Sequence, residues 1–313
     1  MSRYAIGVDL GGTNLRAAVI DESGKMIEKV SASTPMGQSG ESPEQIVAEI
    51  VESVTALREK YGIAKLAGIG AGIPGYIIME TGVIAGWGNR PGFNGFPMRA
   101  ELEKRLGTKV FLENDANAAA IGEHWIGAGQ GASDLVLLTL GTGIGGGIIS
   151  GGRILHGFLG MAAELGHMTV VPNGNPCGCG NRGCVEQYAS ATAVANMARG
   201  MHLGRDVTAE DVYNLAKSGN ERAQTVFRAM GESLGIALAS LINVFNFPLY
   251  LLAGGVLGAW DYFAPPMIGE IERRCFTYKT TLKSTPTRIE RAVLGNEAGL
   301  FGSAYLPFEP RNS

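Results

Sequence analysis

Short apolar runs, bounded by glycine or polar residues, alternate along the chain with longer segments of helical periodicity. Apolar runs of four to eight residues predict buried strands, and longer periodic segments predict helices. We expect strands over residues 4–9, 15–21, 67–73, 110–112, 135–140, 146–150 and 249–253. We expect helices over residues 43–61, 98–106, 116–125 and 224–246. The mixture of both element types predicts the α/β class.

No charged residue occurs between Leu234 and Trp260, a stretch long enough to be tested as a membrane span. A transmembrane helix needs about 20 continuous apolar residues. Asn243, Asn246 and Pro248 interrupt this stretch, so it predicts a buried helix followed by a strand. The net charge of −3 favours neither nucleic acid nor an anionic membrane surface as a partner. We therefore expect the protein to bind neither.

The length of 313 residues allows two domains of ordinary size, and 45% hydrophobic and 18% charged residues are typical of a globular protein. A strand, a glycine-rich turn and a returning strand occur near residues 11–14 and again near residues 141–145. Glycine hairpins are common, but the shared order and composition favour a duplicated domain with a cleft between the halves. Residues 1–9 lead directly into a strand with no targeting segment, which predicts a cytoplasmic protein.

Three of the four cysteines and one of the four histidines fall within one glycine-rich stretch: His167, Cys177, Cys179 and Cys184. Three thiolates and one imidazole complete the tetrahedral shell of a structural Zn²⁺ site. Disulfides are disfavoured in a reducing cytosol, and the spacings C-x-C and C-x4-C are not those of a redox pair. Buried free thiols are common, but a core element would not carry so many glycines. We therefore expect a zinc site flanked by two glutamates, Glu164 and Glu186.

The first glycine turn contains Gly11, Gly12, Thr13 and Asn14. Backbone N–H groups in such a turn can bind phosphate oxygens, because nothing on the glycine Cα blocks their approach. Asp9, at the end of the preceding strand, would repel a phosphate unless a cation lay between them. We expect Asp9 to bind Mg²⁺, directly or through water. A plain hairpin turn is the simpler alternative.

The second turn, Gly141-Thr142-Gly143, opens a G-x-G-x-x-G sequence. In dinucleotide-binding folds a helix begins at these glycines. Residues 147–154 predict strand and turn instead, so a second phosphate-binding hairpin is favoured. The sequence contains no G-x-x-x-x-G-K-[ST] motif, which excludes the P-loop NTPases.

The segment Glu113-Asn114-Asp115-Ala-Asn117 ends a predicted strand and begins a predicted helix. Asp and Asn are common at helix N-caps, which is a sufficient structural explanation for both. The functional interpretation is that Asp115 is a general base, which takes a proton from a hydroxyl that attacks a phosphoryl group. Asn114 can both donate to and accept from a sugar hydroxyl.

Six segments together resemble the ROK family (repressor, open reading frame, kinase) of sugar kinases, within the actin-like ATPase (ribonuclease H-like) superfamily. They are Asp9-Leu-Gly-Gly-Thr-Asn14, Glu113-Asn-Asp-Ala-Asn117, Leu140-Gly-Thr-Gly-Ile-Gly145, Glu164-Leu-Gly-His167, Cys177-Gly-Cys-Gly-Asn-Arg-Gly-Cys184 and Ala253-Gly-Gly-Val256. They follow the family's order over nearly the whole chain. The segment Asn181-Arg-Gly-Cys-Val-Glu-Gln-Tyr-Ala-Ser190 is most similar to the glucokinases.

The resemblance assigns roles to individual residues. It implies that Asp115 is the catalytic base and that Gly254 and Gly255 lie against the adenosine of ATP. It implies a set of residues that contact the sugar: Gly75, Asn89, Asn114, Asp115, Glu164, His167 and Glu186. His167 would use one ring nitrogen for Zn²⁺ and the other for the sugar. Where the family often has Asn-Leu-x-x-Trp, this chain has Arg90 and Phe93, which leaves its sugar preference open.

The resemblance also implies the reaction and the architecture. We expect ATP-dependent phosphorylation of D-glucose at its 6-hydroxyl, with Mg²⁺ and a structural Zn²⁺, in a homodimer. Another hexose kinase, for fructose, mannose or an N-acetylhexosamine, is the alternative, and a non-catalytic sugar-responsive regulator is a third. ATP and polyphosphate both stay open as phosphoryl donors. We expect a small domain over residues 1–112 plus 297–313 and a large one over 113–296 that carries the zinc loop.

Overall fold

The computed structural model describes residues 2–11, 14–33, 42–88, 90–281 and 286–310. These ranges contain the strands β1 (Tyr4–Leu10), β2 (Asn14–Asp21), β3 (Met26–Ser33), β4 (Leu66–Ile73), β5 (Tyr76–Ile78), β6 (Val83–Gly86), β7 (Val110–Asn114), β8 (Leu135–Leu140), β9 (Ile144–Ser150), β10 (Arg153–Ile154), β11 (Leu249–Ala253) and β12 (Arg288–Arg291). The α-helices are α1 (Pro43–Tyr61), α2 (Met98–Leu106), α3 (Asp115–Ile126), α4 (Glu186–Ala189), α5 (Ala191–Gly200), α6 (Ala209–Lys217), α7 (Glu221–Phe245), α8 (Trp260–Arg274), α9 (Phe276–Thr281) and α10 (Ala298–Tyr305). The α/β class is confirmed, and each strand and helix expected from the sequence is present within a few residues of its predicted bounds.

The chain forms two compact units. The first comprises Met1–Ser133, Gly147–Ala162 and Asn296–Ser313, and the second comprises Asp134–Gly146 and Ala163–Gly295. The predicted boundary at residues 112/113 does not coincide with this division. The reason is that α3 packs against α10 and β4, so it belongs with the first sheet and not with the loop of Cys177, Cys179 and Cys184.

A five-stranded sheet of order β3-β2-β1-β4-β7 organises the first unit. Strands β1, β2 and β3 are antiparallel, whereas β4 and β7 run parallel to β1. Alternate residues of β1 pack on opposite faces: Tyr4 and Ile6 join a core with α1 and α2, whereas Ala5 packs against α10. The sheet is therefore covered on both faces, which explains why β1 and β4 are almost entirely apolar.

Glycines let α10 approach the sheet of the first unit closely. A Cβ on Gly7 of β1 would lie 2.5 Å from the Leu300 carbonyl oxygen, and a Cβ on Gly70 of β4 would lie 1.8 Å from that of Ser303. Any side chain at these positions would force the helix outward. This contact places the start of α10 beside the carboxyl end of β1, where Asp9 lies.

The second unit contains the parallel strands β8, β11 and β12. The second sheet has the order β10-β9-β8-β11-β12, which repeats the pattern of the first sheet and supports the predicted duplication. Helix α7 is long and apolar enough to cross a membrane by length and composition alone, but 61% of its most apolar stretch is buried inside the protein. Gly231 and Gly235 of α7 pack directly on backbone atoms of α8, as in the core helix predicted from the sequence.

Candidate active-site residues of the two units

Asp9 ends β1 in the first unit and pairs with Arg16. The hairpin register places Asp9 opposite Arg16 on β2, and Arg16 Nη2 lies 2.8 Å from Asp9 Oδ2. Arg16 also donates to the Asn296 carbonyl oxygen at 2.6 Å, just before α10. The predicted phosphate turn closes with a hydrogen bond from the Gly11 N–H to the Asn14 carbonyl oxygen, 2.9 Å long. Gly12 and Thr13, which were assigned to the same turn, lie outside the described residues.

The surroundings of Asp9 suit a further cation. Burial raises the pKa of the Asp9 carboxyl to about 6 although Arg16 lowers it, and the nearby charges of Asp115 and Glu297 raise it further. The charges of two further carboxylates therefore act on Asp9 beside one guanidinium. A hard divalent cation such as Mg²⁺ prefers oxygen ligands of this kind, so the donor set fits the ion.

Asn114 and Asp115 lie where β7 ends and α3 begins. Asn114 is the N-cap of α3, and its Oδ1 accepts from the backbone N–H of Ala116 at 2.9 Å and of Asn117 at 3.1 Å. Its Nδ2 donates to the Gly75 carbonyl oxygen at 3.2 Å, which brings two predicted sugar-contacting residues together. Asp115 is the first residue of the helix, and its Oδ1 accepts from the Ala116 N–H at 2.9 Å.

The loop between β6 and α2 explains one departure from the family pattern. Phe93, in the place of the usual tryptophan, is 1% exposed, and its ring centroid lies 4.4 Å from that of Trp87. Phe93 is therefore a core residue of the first unit. Arg90 is only partly buried, and Asn89, the predicted sugar ligand beside it, lies outside the described residues.

The four predicted zinc ligands converge in the second unit: His167, Cys177, Cys179 and Cys184 place their donor atoms within 4.8 Å of one another. Cys179 Sγ and Cys184 Sγ are 3.7 Å apart, and Cys177 Sγ lies 3.6 Å from His167 Nδ1. With Zn–S of about 2.3 Å and Zn–N of about 2.0 Å, a tetrahedral ion requires spacings of about 3.8 and 3.6 Å. The three cysteines are unpaired in the structure. The geometry fits Zn²⁺.

Two carboxylates border this cluster. Glu164 Oε2 lies 3.8 Å from His167 Nε2, whereas Cys177 Sγ lies beside the other ring nitrogen, Nδ1. Glu186 Oε1 lies 3.4 Å from Cys177 Sγ, and its Oε2 accepts from the Ile144 N–H at 3.2 Å. Burial raises the pKa of the Glu164 carboxyl, and the charge of Glu186 raises it further against the effect of His167. Both glutamates therefore present oxygen atoms beside one imidazole.

Backbone geometry fixes Glu164 and His167 relative to β9. A Cβ on Gly166 would lie 2.1 Å from the Ile144 carbonyl oxygen, so only glycine allows this approach. Ala163, directly before Glu164, has a φ of 68°, which residues other than glycine rarely adopt. Such a conformation costs about 1–3 kcal/mol and is common at functional sites. No feature of the sequence indicated it.

The glycine turn between β8 and β9 aims two amides in one direction. The Gly141 carbonyl oxygen accepts from the Ala191 N–H at 2.8 Å, and that of Thr142 accepts from Thr192 Oγ1 at 2.7 Å. In a planar trans peptide the N–H points opposite to the C=O. The N–H groups of Thr142 and Gly143 therefore point away from α5, as a phosphate cradle requires.

A cavity of about 640 Å³ in the second unit includes this turn. Gly141 and Thr142 line it, as does Gly255 after β11. Gly254 lies behind them with a φ of 107°, and a Cβ there would lie 2.2 Å from the Leu140 carbonyl oxygen. The other lining residues are Leu140, Ala191, Thr208, Ala209, Glu210, Tyr213, Phe227, Val256, Gly258 and Ala259. The cavity is large enough for a nucleoside.

Several of these lining residues were not predicted from the sequence. Thr208 is the N-cap of α6 and forms a capping box with Asp211, which is a signal visible in the sequence. No feature of the sequence indicates that Thr208 and Gly255 line the same cavity. Tyr213 packs edge-on against Tyr262, at 6.4 Å between ring centroids, and presents an aromatic surface to the cavity. Arg16, the partner of Asp9, was also missed.

Comparisons with known proteins identify the family. The sequence model of the ROK family matches residues 5–309. A protein named glucokinase from Halalkalibacterium halodurans is 37% identical, over 99% of this chain and 97% of its own length. The crystal structure of the ROK hexokinase from Thermus thermophilus is 37% identical, with a TM-score of 0.84 over 97% of this chain and 98% of that chain.

A ROK family glucokinase from Streptomyces griseus, crystallised in complex with glucose and AMPPNP, is 34% identical. It covers 97% of this chain and 98% of its own, with a TM-score of 0.79. The predicted actin-like ATPase fold is confirmed by these structures, and the predicted family by the full-length match. The chain belongs to the ROK family.

Proposed function

We propose that this ROK protein is a glucokinase, which transfers the γ-phosphoryl group of ATP to the 6-hydroxyl of D-glucose. The similarity to glucokinases over almost the whole chain carries the proposal. The geometry within each unit supports it: a carboxylate begins α3, a polar wall surrounds His167, and a glycine turn lines a nucleoside-sized cavity.

Asp115 is the proposed general base. Phosphoryl transfer depends on positioning and charge stabilisation, and the hydroxyl nucleophile needs a nearby proton acceptor. One carboxylate oxygen of Asp115 is committed to the N–H of Ala116, which fixes the direction of the side chain. The carboxylate would take the proton of the 6-hydroxyl as that oxygen attacks phosphorus.

Asn114, Glu164, His167 and Glu186 are the proposed partners of the other sugar hydroxyls. A neutral sugar needs hydrogen-bond partners for each hydroxyl, and ionised carboxylates are the strongest acceptors. His167 Nε2 faces Glu164, away from the sulfur atoms, so this nitrogen is the one available to a ligand. Asn114 is already held by Gly75 and by α3, so it would bind a hydroxyl without reorganising.

The cluster of His167, Cys177, Cys179 and Cys184 is proposed to hold a structural Zn²⁺. Its spacings match a closed tetrahedral shell, with no position left for a substrate. The ion would fix the ring of His167 through Nδ1 and so orient Nε2 toward the sugar.

The cavity beside Gly141 and Gly255 is proposed to take the adenosine of ATP. Tyr213 and Phe227 supply aromatic surface, and the N–H groups of Thr142 and Gly143 supply phosphate donors. Asp9 would hold Mg²⁺, which neutralises charge on the transferred phosphoryl group. Arg16 keeps the Asp9 carboxylate in place.

Purified protein assayed against a panel of sugars, each with ATP or polyphosphate, tests the proposal. We expect glucose with ATP to give the highest kcat/KM. Arg90 differs from the family pattern, so fructose, mannose and N-acetylglucosamine belong in the panel. Preference for one of them would replace glucose as the substrate, and preference for polyphosphate would replace ATP as the donor.

Asp115→Asn tests the base. General base catalysis contributes about 100- to 10,000-fold, so kcat should fall by that factor. Glucose binding, measured by calorimetry, should stay close to that of the wild type because asparagine keeps the shape of the side chain. Near-normal turnover in this variant would reject Asp115 as the base.

We further propose a cytoplasmic homodimer. Four large apolar residues close together in the sequence are exposed, namely Leu155, Phe158, Leu159 and Met161, and a cluster of exposed apolar side chains often marks an interface. Sedimentation velocity at micromolar concentration decides between monomer and dimer.

A further inference from the structure

Glu113 is a buried carboxylate directly before the proposed catalytic residues. It is 1% exposed, although it is the second-last residue of β7, directly before Asn114 and Asp115. Its Oε1 accepts from the Asn114 N–H at 2.9 Å and from Asn117 Nδ2 at 3.0 Å. One oxygen atom therefore ties the last residue of β7 to the first turn of α3.

These bonds act on the segment that carries the proposed chemistry. Asn117 is bonded to Glu113 through its side chain and to Asn114 Oδ1 through its backbone N–H. Asn114 is bonded to Glu113 through its own N–H. Asp115 lies between these two anchors. The direction of its carboxylate therefore depends on the position of Glu113.

The second oxygen of Glu113 is bound by His156. The His156 Nε2 lies 2.6 Å from Glu113 Oε2. His156 follows β10, and its segment is held by hydrogen bonds from the Leu155 N–H to the Ile148 carbonyl oxygen and from the Ala162 N–H to the His156 carbonyl oxygen. Burial lowers the pKa of His156, but the hydrogen bond and charge of Glu113, aided by Glu309, outweigh it and raise the pKa. A raised pKa favours the imidazolium form.

The pair borders a cavity of about 380 Å³ in the first unit, which we name the β7 cavity. Its charged lining residues are Arg99, Glu103, Lys109, Glu113, His156 and Glu309. Arg99 donates to the carbonyl oxygens of Met79 and Glu80, and Glu103 accepts from the Val110 N–H. Among the described residues, His156 is the cationic side chain that is hydrogen-bonded to Glu113. A buried carboxylate that loses such a partner is strongly destabilised.

We propose that Glu113 and His156 are positioning residues for phosphoryl transfer, an inference that rests on the proposed function. His156 holds the Glu113 carboxylate, and the carboxylate holds the first turn of α3. Asn114 then faces the sugar and Asp115 faces the 6-hydroxyl in a fixed geometry. Neither Glu113 nor His156 touches the substrate.

Three substitutions of His156 test the pairing. His156→Leu removes the donor, His156→Gln places an amide N–H near the position of Nε2, and His156→Asn carries the same amide on a side chain too short to reach Glu113. His124→Leu is the matched control. His124 lies near the carboxyl end of α3, the helix that Glu113 holds at its first turn, and bonds the Ala132 carbonyl oxygen. Steady-state constants for glucose and ATP, and hydrogen exchange over residues 113–120, are measured for each folded protein.

We expect His156→Leu and His156→Asn to lower kcat about 10- to 100-fold, because displacements of about 1 Å at reacting groups have effects of this size. The glucose KM should rise, whereas the ATP KM should stay within about twofold, since the cavity proposed for the nucleotide lies in the second unit. The amides of residues 114–117 should exchange faster. His156→Gln should recover most of the kcat, and His124→Leu should match the wild type.

Equal changes in the glucose and ATP constants, or equal kcat values for the Gln and Asn variants, would show a merely structural role and overturn the proposal. If His156→Leu does not fold, the Gln and Asn variants still decide, because they differ by one methylene. If the wild type phosphorylates no sugar, the proposed function fails. Hydrogen exchange then judges the pairing alone, and unchanged exchange over residues 114–117 rejects it.

Discussion

Gly143→Ala is the substitution that best separates the proposed sugar site from the proposed nucleotide site. Gly143 lies in the turn between β8 and β9, and a Cβ built there would lie 2.4 Å from Glu186 Oε2. That oxygen accepts from the Ile144 N–H, the residue next to the substitution. The added methyl group must therefore displace the carboxylate that is proposed to bind a sugar hydroxyl.

The size of the effect follows from the distances. Ordinary van der Waals contact begins at 3.4 Å, so the carboxylate oxygen has to move by roughly 1 Å, and a displacement of this size lowers rates up to about 100-fold. The hydrogen bond to Ile144 is lost, which costs about 1.5–3 kcal/mol when an ionised group is the acceptor, less whatever water restores. We expect kcat/KM for glucose to fall about 10- to 100-fold in a protein that still folds.

Gly141→Ala is the matched control, two residues earlier in the same turn. Neither Gly141 nor Gly143 has a positive φ, so alanine fits the backbone at both. A Cβ on Gly141 meets no atom within 4 Å, and this residue lines the cavity of the second unit. The methyl group should therefore obstruct the nucleotide and raise the ATP KM about 10-fold, with little change in the glucose KM.

Steady-state kinetics, with each substrate varied against saturating amounts of the other, gives kcat, the glucose KM and the ATP KM of both variants. If Gly143→Ala leaves the glucose KM and kcat unchanged, Glu186 does not contact the sugar. If both variants change both KM values equally, the turn acts as one unit, and the assignment of separate sites is wrong.

Two further predictions concern the zinc cluster and the buried pair. Removal of zinc by chelation, or Cys179→Ser, should raise the glucose KM about 10- to 100-fold. Zinc content is followed by atomic emission. If metal-free protein keeps its sugar affinity, the cluster only stabilises its own loop. The pKa of His156 is raised in the folded protein. The ion pair of His156 with Glu113 therefore stabilises the fold fully below the pKa of unfolded histidine, about 6.5. This stabilisation is lost as the pH rises through the pKa of His156 in the folded protein. The unfolding free energy of the wild type minus that of His156→Gln, measured in urea, should therefore be larger at pH 6 than at pH 9. The other charged groups of the β7 cavity are common to both proteins, so equal differences would contradict the ion pair.

The fold was predictable wherever local periodicity carries the information. The apolar segment 224–246 predicted a buried helix, and α7 spans Glu221–Phe245. Helix α6 was not predicted, although Thr208 and Asp211 form a capping box, because only two of its residues, Val212 and Ala216, are buried and its apolar pattern is correspondingly sparse. The division into units was beyond reach, because it depends on the packing of α3 against α10, and these helices are far apart in the sequence.

In the candidate site, too, contacts between residues far apart in the sequence could not be predicted. Cys177, Cys179 and Cys184 were predicted as metal ligands because they lie close together in the sequence and share one chemistry. His156 was not, since its partner Glu113 precedes it by 43 residues. Arg16 is an intermediate case: a short hairpin turn after β1 places it opposite Asp9, and that register could have been counted from the turn.

Glu186 lies between the cluster of proposed zinc ligands and the glycine turn of residues 141–143 and contacts both. Its Oε1 lies beside Cys177, and its Oε2 holds the N–H of Ile144, at the end of the turn proposed to bind phosphate. If this carboxylate moves away from the turn, it releases the Ile144 N–H. On the proposed assignments, one side chain therefore couples sugar binding to the geometry of the phosphate amides. On the proposed assignments Cys177 is a thiolate with no proton to donate to Oε1, so the hydrogen bond from the Ile144 N–H orients Glu186, together with a contact from Gln187 Nε2 at 3.5 Å.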